Sequence, residues 1–255
     1  MTYLSGKRIW LIGASEGIGR ELAIELAQVG AILGLSARNQ TRLEELRAAC
    51  GGDVHAIAAC DVTNNDSVRN AWEVMAASWG APDIIIYNAG AYDPMPAQKF
   101  NLASIEAMVD VNFRGALRML DCALPTLIQK HAGHIVLVGS VAGYRGLPDA
   151  MGYGASKSAL IHLAENLMCD LQPYGIRTQI VNPGFVKTRL TDKNNFAMPG
   201  MITAPQAAAQ IIKGLQSNRF EIAFPFVFAA VMKLLRFLPS GLYFKLIGSI
   251  EKPSS

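Results

Sequence analysis

The chain has 255 residues, of which 51% are hydrophobic and 17% are charged, and its formal net charge is +3. This composition excludes a disordered chain and is typical of one large or two small folded domains. The four cysteines show no CxxC spacing and the four histidines no ligand-like spacing. We therefore predict no metal site. The cysteine pattern predicts reduced thiols, and together with an N-terminus that shows no signal peptide it predicts a cytoplasmic protein.

Short apolar runs alternate with longer amphipathic segments along the whole chain. The runs that we predict to be strands are residues 8–13, 31–36, 54–60, 83–87, 134–139, 176–181 and 220–224. The segments that we predict to be helices are residues 18–29, 41–50, 66–79, 102–130, 155–172 and 204–216. Strands that are apolar throughout and alternate with helices predict an α/β fold, with a doubly wound parallel sheet of about seven strands covered on both faces.

The first predicted strand leads into a glycine-rich loop, Gly13-Ala-Ser-Glu-Gly17-Ile-Gly19, which opens the first predicted helix. Glycines permit a tight turn and let the backbone approach a pyrophosphate, which a helix N-terminus attracts. The spacing differs from the usual GxGxxG, but the strand–loop–helix context is the one that such a motif requires. The loop predicts a dinucleotide site, with a tight structural turn as the alternative.

The end of the second predicted strand bears on which dinucleotide is bound. A cofactor with a free ribose 2′-hydroxyl would meet Asp or Glu there, about twenty residues after the loop. The chain instead has Ser36-Ala37-Arg38-Asn39. Arg38 can pair with a 2′-phosphate, which predicts NADP(H) in preference to NAD(H). Glu16 in the loop weakens this prediction, and a solvated surface arginine is the alternative for Arg38.

The segment Tyr153-Gly-Ala-Ser-Lys157 has a tyrosine and a lysine four residues apart, which share one face if the segment is helical. A nearby ammonium favours the phenolate and lowers the pKa of the phenol from its usual ~10, which suits proton transfer near neutral pH. Ser140 ends an apolar run and would lie at the carboxyl end of a strand, where open α/β sheets bind ligands. The alternative is a surface Tyr and Lys that are four apart by chance.

These motifs, in this order, resemble the classical short-chain dehydrogenase/reductase family over about residues 6–225. The resemblance implies a Rossmann-type sheet and a catalytic tetrad of Asn112, Ser140, Tyr153 and Lys157. One departure is Ile12, where the family usually has a threonine whose hydroxyl braces the turn. The cofactor-binding residues predicted from the motifs and the resemblance are Gly13, Ser15, Gly17, Ile18, Gly19, Arg38, Asp61, Val62, Asn88, Ala89, Gly90, Tyr153, Lys157, Pro183, Gly184, Val186 and Thr188.

The resemblance also implies a role for each member of the tetrad. Tyr153 would be the general acid in reduction and the base in oxidation, and Ser140 would hydrogen-bond the substrate oxygen. Lys157 would lower the pKa of the tyrosine and bind the nicotinamide ribose, and Asn112 would anchor a water that connects Lys157 to solvent. These roles predict a carbonyl reductase that acts on CH–OH groups with NADP(H). The resemblance also implies a homodimer or homotetramer. The alternative is a catalytically silent NADP(H)-binding sensor or scaffold.

The segment after Pro183-Gly184 is apolar, which predicts a hydrophobic carbonyl or secondary alcohol as substrate. We take Asn194-Asn195 and Pro199-Gly200 as hinge candidates in this segment. Candidate wall residues of the substrate pocket are Phe185, Leu190, Phe196, Met198, Met201 and Ile202, with Tyr92, Met95, Val141, Leu147 and Met151.

The chain divides, by prediction, into a cofactor-binding and catalytic domain over residues 1–225 and a hydrophobic, basic helical extension over residues 226–255. Residues 219–255 carry five basic and two acidic side chains, so the excess positive charge lies there. The rest shows no basic stripe, which argues against a nucleic-acid partner. The eleven apolar residues 222–232 are too few to span a bilayer. The extension could be a lid, a subunit contact or a peripheral contact with the inner face of a membrane.

Overall fold

Seven parallel strands form the central sheet of the computed structural model, which describes residues 3–194 and 198–250. The strand order is β3-β2-β1-β4-β5-β6-β9, so the chain reverses its direction of travel between β1 and β4. This sheet confirms the predicted doubly wound fold. The strands are β1 (Arg8–Ile12), β2 (Ile32–Ala37), β3 (Ala56–Ala59), β4 (Ile84–Tyr87), β5 (Gly133–Val138), β6 (Ile176–Pro183), β7 (Val186–Lys187), β8 (Ile202–Thr203) and β9 (Glu221–Phe224).

Helices cover both faces of the sheet, because its central strands are apolar on both sides. In β4, Ile84 and Ile86 pack into one core and Ile85 and Tyr87 into the other. Helices α1, α2 and α7 supply the first core, and α3, α5 and α6 supply the second. The helices are α1 (Gly17–Gln28), α2 (Gln40–Ala49), α3 (Asn65–Trp79), α4 (Leu102–Val109), α5 (Gly115–Lys130), α6 (Met151–Leu171), α7 (Ala204–Leu215), α8 (Phe226–Arg236) and α9 (Ser240–Ile250).

The single helix predicted over residues 102–130 is wrong, because a π-helical turn, Asp110–Arg114, separates α4 from α5. The phenol of Tyr87 donates a hydrogen bond to the carbonyl oxygen of Val111 at 2.6 Å. A Cβ on Gly115 would collide with the same phenol oxygen, so only glycine allows this approach. A π turn of this kind is often found at functional sites, and here it carries the buried side chain of Asn112.

The loop after β6 forms a small ribbon in which β7 pairs with β8. The sequence did not predict it, because strands of two residues are too short to show a hydrophobic period. The predicted residues Asn195 and Phe196 lie outside the described residues. The extension after β9 forms α8 and α9, and within residues 3–194 and 198–250 neither these nor any other helix has the length and hydropathy to cross a bilayer.

Candidate active site

The glycine-rich loop between β1 and α1 is held against the end of β4. Gly13 has a φ of +84°, and a Cβ on this residue would lie 2.6 Å from the backbone nitrogen of Ala89. The side-chain amide of Asn88 donates to the carbonyl oxygen of Gly13 at 2.8 Å. A Cβ on Gly19 would collide with that carbonyl oxygen and lie 2.6 Å from the Asn88 amide nitrogen. The glycines therefore permit a backbone approach that no other residue would allow.

A cleft of about 810 Å³ opens above this loop at the carboxyl ends of β1, β2 and β4. It lies where the strand order reverses, which is where open α/β sheets bind dinucleotides. The loop and the cleft fit a dinucleotide, because the glycines leave room for a pyrophosphate beside the N-terminus of α1. The predicted cofactor-binding residues that line the cleft are Gly13, Ser15, Gly17, Ile18, Arg38, Asp61, Val62, Asn88, Ala89, Gly90 and Thr188.

The other predicted cofactor-binding residues lie outside this lining. Gly19 lies beneath the loop, and the side chain of Val186 is 3% exposed and belongs to the core. Pro183 is buried beside Ser140, and a Cβ on Gly184 would lie 2.8 Å from the ring of Phe228 in α8. This segment therefore borders the candidate catalytic residues and α8.

Asp61 is held at the rim of the cleft by the residues that follow it. Its Oδ1 accepts hydrogen bonds from the backbone nitrogen of Thr63 at 2.9 Å and from its hydroxyl at 2.7 Å. The Thr63 backbone hydrogen bond, followed by the Thr63 hydroxyl and the charge of Arg38, lowers the pKa of Asp61 despite its partial burial. Arg38, which is exposed, thus lies near a carboxylate at the predicted adenosine end.

Two further arginines, neither of them predicted from the sequence, line the same cleft. Glu16 of the glycine-rich loop forms ion pairs with Arg42 and with Arg189, the latter at 3.1 Å. Arg42 could have been found from the sequence, since it follows Arg38 by four residues. It lies in the first turn of α2. No motif pointed to Arg189, which follows the predicted Thr188. Three guanidinium groups therefore line the cleft, two of them bound to a carboxylate of the chain itself.

The four predicted catalytic residues come from three segments and lie close together. Ser140 follows β5, Tyr153 and Lys157 lie on α6, and Asn112 lies on the π turn. The Ser140 hydroxyl oxygen accepts a hydrogen bond from the backbone nitrogen of Ala142 at 3.1 Å. The α6 helix starts at Met151, earlier than predicted, so Tyr153 is in its first turn.

Lys157 is almost completely buried, with 3% of its surface exposed. Its Nζ donates to the carbonyl oxygen of Val138 at 2.8 Å and lies 5.7 Å from the centre of the Tyr153 ring. Burial lowers the pKa of Lys157 to about 7. A Cβ on Gly90 would lie 3.7 Å from this Nζ and equally far from Oδ1 of Asn112. Lys157 is thus an amine beside the cleft that titrates near neutral pH.

The side chain of Asn112 is occupied by protein partners. Its Oδ1 accepts from the backbone nitrogen of Ala91 at 2.7 Å. Its amide donates to the carbonyl oxygen of Ala91 at 3.0 Å and to the Ser156 hydroxyl at 2.8 Å. Asn112 therefore joins the segment after β4 to α6, the helix that carries Tyr153 and Lys157.

The pKa of Tyr153 differs from the sequence-based expectation. Lys157 was expected to lower it, but the amine is directed to the carbonyl oxygen of Val138. Burial raises the pKa of the Tyr153 phenol, and a hydrogen bond with Ser140 opposes this only in part. In this arrangement Tyr153 keeps its proton at neutral pH.

One residue of the predicted substrate wall, Tyr92, packs against Tyr153. The ring of Tyr92 packs edge-on against it, with 4.8 Å between ring centres. The Tyr92 phenol donates to Oδ1 of Asn194 at 2.7 Å, which ties the loop after β7 to this tyrosine pair. Met95 and Val141 are buried, whereas Met151 and Met201 are exposed. The Phe185 ring packs against that of Phe228, with centres 5.4 Å apart, so α8 borders the same region.

Comparison with known proteins gives matches over most of the chain. The family described as short chain dehydrogenase matches residues 7–198. An uncharacterized oxidoreductase of Myxococcus xanthus is 33% identical over 245 residues, covering 95% of this chain and 97% of that protein. A short-chain type dehydrogenase/reductase from Mycobacterium marinum has a TM-score of 0.78 at 26% identity, covering 86% of this chain and 94% of that one. Levodione reductase has a similar fold, with a TM-score of 0.81 at 23% identity, covering 89% of this chain and 98% of that one.

Proposed function

The chain belongs to the short-chain dehydrogenase family, and we propose that it is an NADP(H)-dependent oxidoreductase that interconverts a carbonyl and a secondary alcohol. The observation that carries the proposal is the group Ser140, Tyr153 and Lys157, which adjoins the cleft because Lys157 lies beside Gly90 of its lining. A protein that only bound the cofactor would have no need of a buried lysine next to a partly buried phenol.

The cofactor would be held by the residues that line the cleft. Gly13 and Gly17 would face the pyrophosphate, and Asp61 and Val62 would face the adenine. Arg38, with the guanidinium groups of Arg42 and Arg189 nearby, supports a preference for the 2′-phosphate of NADP(H). When bound, the nicotinamide supplies or accepts the hydride, and the protein supplies alignment and proton transfer.

Tyr153 would donate its proton to the carbonyl oxygen during reduction and take it back during oxidation. Its raised pKa favours the protonated form, which is the form that reduction requires. The Ser140 hydroxyl would hydrogen-bond the same substrate oxygen, since the Ala142 backbone nitrogen already fixes its position. Lys157, whose Nζ lies 5.7 Å from the centre of the Tyr153 ring, would bind the nicotinamide ribose and favour the phenolate during oxidation. Asn112 would position α6 and would anchor a water that connects Lys157 to solvent.

An apolar surround supports a lipophilic substrate. The Tyr92 ring packs against Tyr153, and Val141 follows Ser140 directly, so both would contact a carbonyl compound bound between these catalytic residues. We further propose a cytoplasmic homodimer or homotetramer, as members of the family commonly form, without assigning the contact surface.

The test measures NADPH oxidation with a panel of aliphatic and aromatic aldehydes and ketones, in wild type and in Tyr153→Phe. We expect the variant to keep NADPH binding and to lose about 100-fold or more in kcat, which is the usual worth of a general acid. Tyr174→Phe, at an exposed tyrosine, is the matched control and should change nothing. Turnover by Tyr153→Phe at the wild-type rate would refute the proposal, and NADPH binding without turnover in either protein would favour the scaffold alternative.

A further inference from the structure

The α8 helix has a wide apolar face that points away from the core. Phe226, Val227, Val231, Leu234 and the C-cap residue Phe237 are between 47% and 82% exposed. At 3.6 residues per turn these five positions fall within about 140° of the helix circumference. The opposite side, with Ala229 and Met232, is buried against the domain. We call the five exposed residues the apolar face of α8.

The α9 helix also has exposed apolar side chains, among them Leu242 and Phe244, which are 54% and 64% exposed. An exposed surface of this kind marks an interaction site.

The charged side chains of α8, α9 and the residues between them are all basic. Residues 226–250 contain Lys233, Arg236 and Lys245 and no aspartate or glutamate. Glu221 of β9 forms an ion pair with Lys233, whereas Arg236 and Lys245 are exposed. An apolar helix face with cations beside it complements an anionic bilayer surface. It complements a second copy of itself poorly, because a symmetric contact would bring like charges together.

The two helices are held firmly on the catalytic domain. Arg145 donates from Nη1 to the carbonyl oxygens of Leu235 at 2.7 Å and Leu238 at 2.8 Å, at the end of α8. Its guanidinium also stacks on the ring of Tyr243 in α9 at 3.9 Å, and the Tyr243 phenol donates to the carbonyl oxygen of Gly146 at 2.6 Å. The apolar face is therefore presented in a fixed orientation.

We infer that α8 and α9 form a peripheral docking surface for an anionic phospholipid bilayer, with the apolar face of α8 inserted among the acyl chains and Arg236 and Lys245 at the headgroups. Each helix has 11 residues, about 16 Å, so neither could cross a hydrocarbon core of about 30 Å. The helices would therefore lie in the plane of the interface.

The experiment is co-sedimentation of the full chain with vesicles of phosphatidylcholine alone or mixed with phosphatidylglycerol, without cofactor or substrate. We expect binding to the anionic vesicles and at least about tenfold weaker binding to the neutral ones. Val227→Ser/Leu234→Ser/Phe237→Ser should weaken binding to the anionic vesicles at least about tenfold.

The matched control is Val54→Ser/Phe100→Ser/Leu102→Ser, which removes three residues of 58–60% exposure elsewhere on the surface and should bind as wild type does. Arg236→Gln/Lys245→Gln should abolish the preference for anionic vesicles. Because this variant keeps the apolar face, it still tests the inference if the triple variant does not fold.

Wild-type protein that stays in the supernatant would overturn the inference, as would equal binding to both kinds of vesicle or wild-type binding by a folded triple variant. Sedimentation velocity tests the alternative that the apolar face is a subunit contact. If wild type is an oligomer that does not bind vesicles and the triple variant is a monomer, the apolar face joins copies of the chain. Because no substrate is used, these results are independent of whether the proposed oxidoreductase activity is found.

Discussion

Replacing Glu16 by glutamine should raise the affinity for NADPH, because Glu16 forms ion pairs with two of the three arginines that line the cleft. The carboxylate pairs with Arg42 and with Arg189, and the three side chains are between 36% and 75% exposed. Exposed pairs contribute ~0–1 kcal/mol each, so freeing the two guanidinium groups is worth ~1 kcal/mol. A charge left about 4 Å from a phosphate would add ~1 kcal/mol of repulsion in water. The total, ~1.5 kcal/mol after screening, corresponds to about tenfold in Kd.

The assay is a fluorescence titration of wild type and Glu16→Gln with NADPH and NADH, at low and high salt. NADH lacks the 2′-phosphate, so its Kd should change by less than about twofold, and the NADPH effect should shrink as salt screens the charges. Glu21→Gln is the control, since it removes a nearby carboxylate on α1 that pairs with Arg20 instead. Equal gains for both cofactors, or no gain for NADPH, would refute the reasoning that the arginines select the phosphate.

Three further predictions concern the loop, the buried lysine and the fold. Gly19→Ala should weaken NADPH binding more than about tenfold and cost ~1–3 kcal/mol of stability, because its methyl group would collide with the carbonyl oxygen of Gly13. Gly248→Ala, where the added Cβ has no neighbour within 4 Å, is the control, and equal NADPH binding by both variants would contradict the prediction. Burial lowers the pKa of Lys157 to about 7, so wild type should gain stability as pH rises above 7. In denaturant unfolding without cofactor, the free energy of unfolding of wild type minus that of Lys157→Met should therefore rise by ~2 kcal/mol between pH 7 and 9. A difference that stays constant over this range would contradict the prediction. The pKa of Asp83 is lowered to about 2, chiefly by hydrogen bonds from Arg8, which overcome the opposing effect of burial. Asp83→Asn should cost ~1–2 kcal/mol at pH 7 in urea unfolding, and the cost should vanish as pH falls from about 4 to 2; a cost that persists at pH 2 would argue against the ion pair.

The sheet and most of the cofactor cleft could be predicted because their signals are local. The apolar run that becomes β4 is buried on both faces, so its composition alone indicates a central strand. The glycine-rich loop was predictable because the turn has no room for side chains at the glycine positions. At Gly13, for example, a Cβ would collide with the backbone of Ala89.

Features that depend on contacts between distant segments could not be predicted. The π turn depends on the approach of the Tyr87 phenol to Val111, and a hydrophobic period does not distinguish it from a continuous helix. The pairing of Glu16 with Arg42 and Arg189 joins three separate segments, and no spacing rule connects them. The raised pKa of the Tyr153 phenol likewise follows from its desolvation in the folded chain. The four-residue spacing of Tyr153 and Lys157 carries no information about that desolvation.

The guanidinium of Arg145 has a consequence for local opening of the structure. Arg145 stands five residues after Ser140, and the carbonyl oxygens that it binds belong to the last turn of α8 and the residues after it. The turn after β5 and the end of α8 cannot separate without breaking these hydrogen bonds together. Amide hydrogens in the two segments should therefore exchange with deuterium as one cooperative unit, although about ninety residues of sequence lie between them.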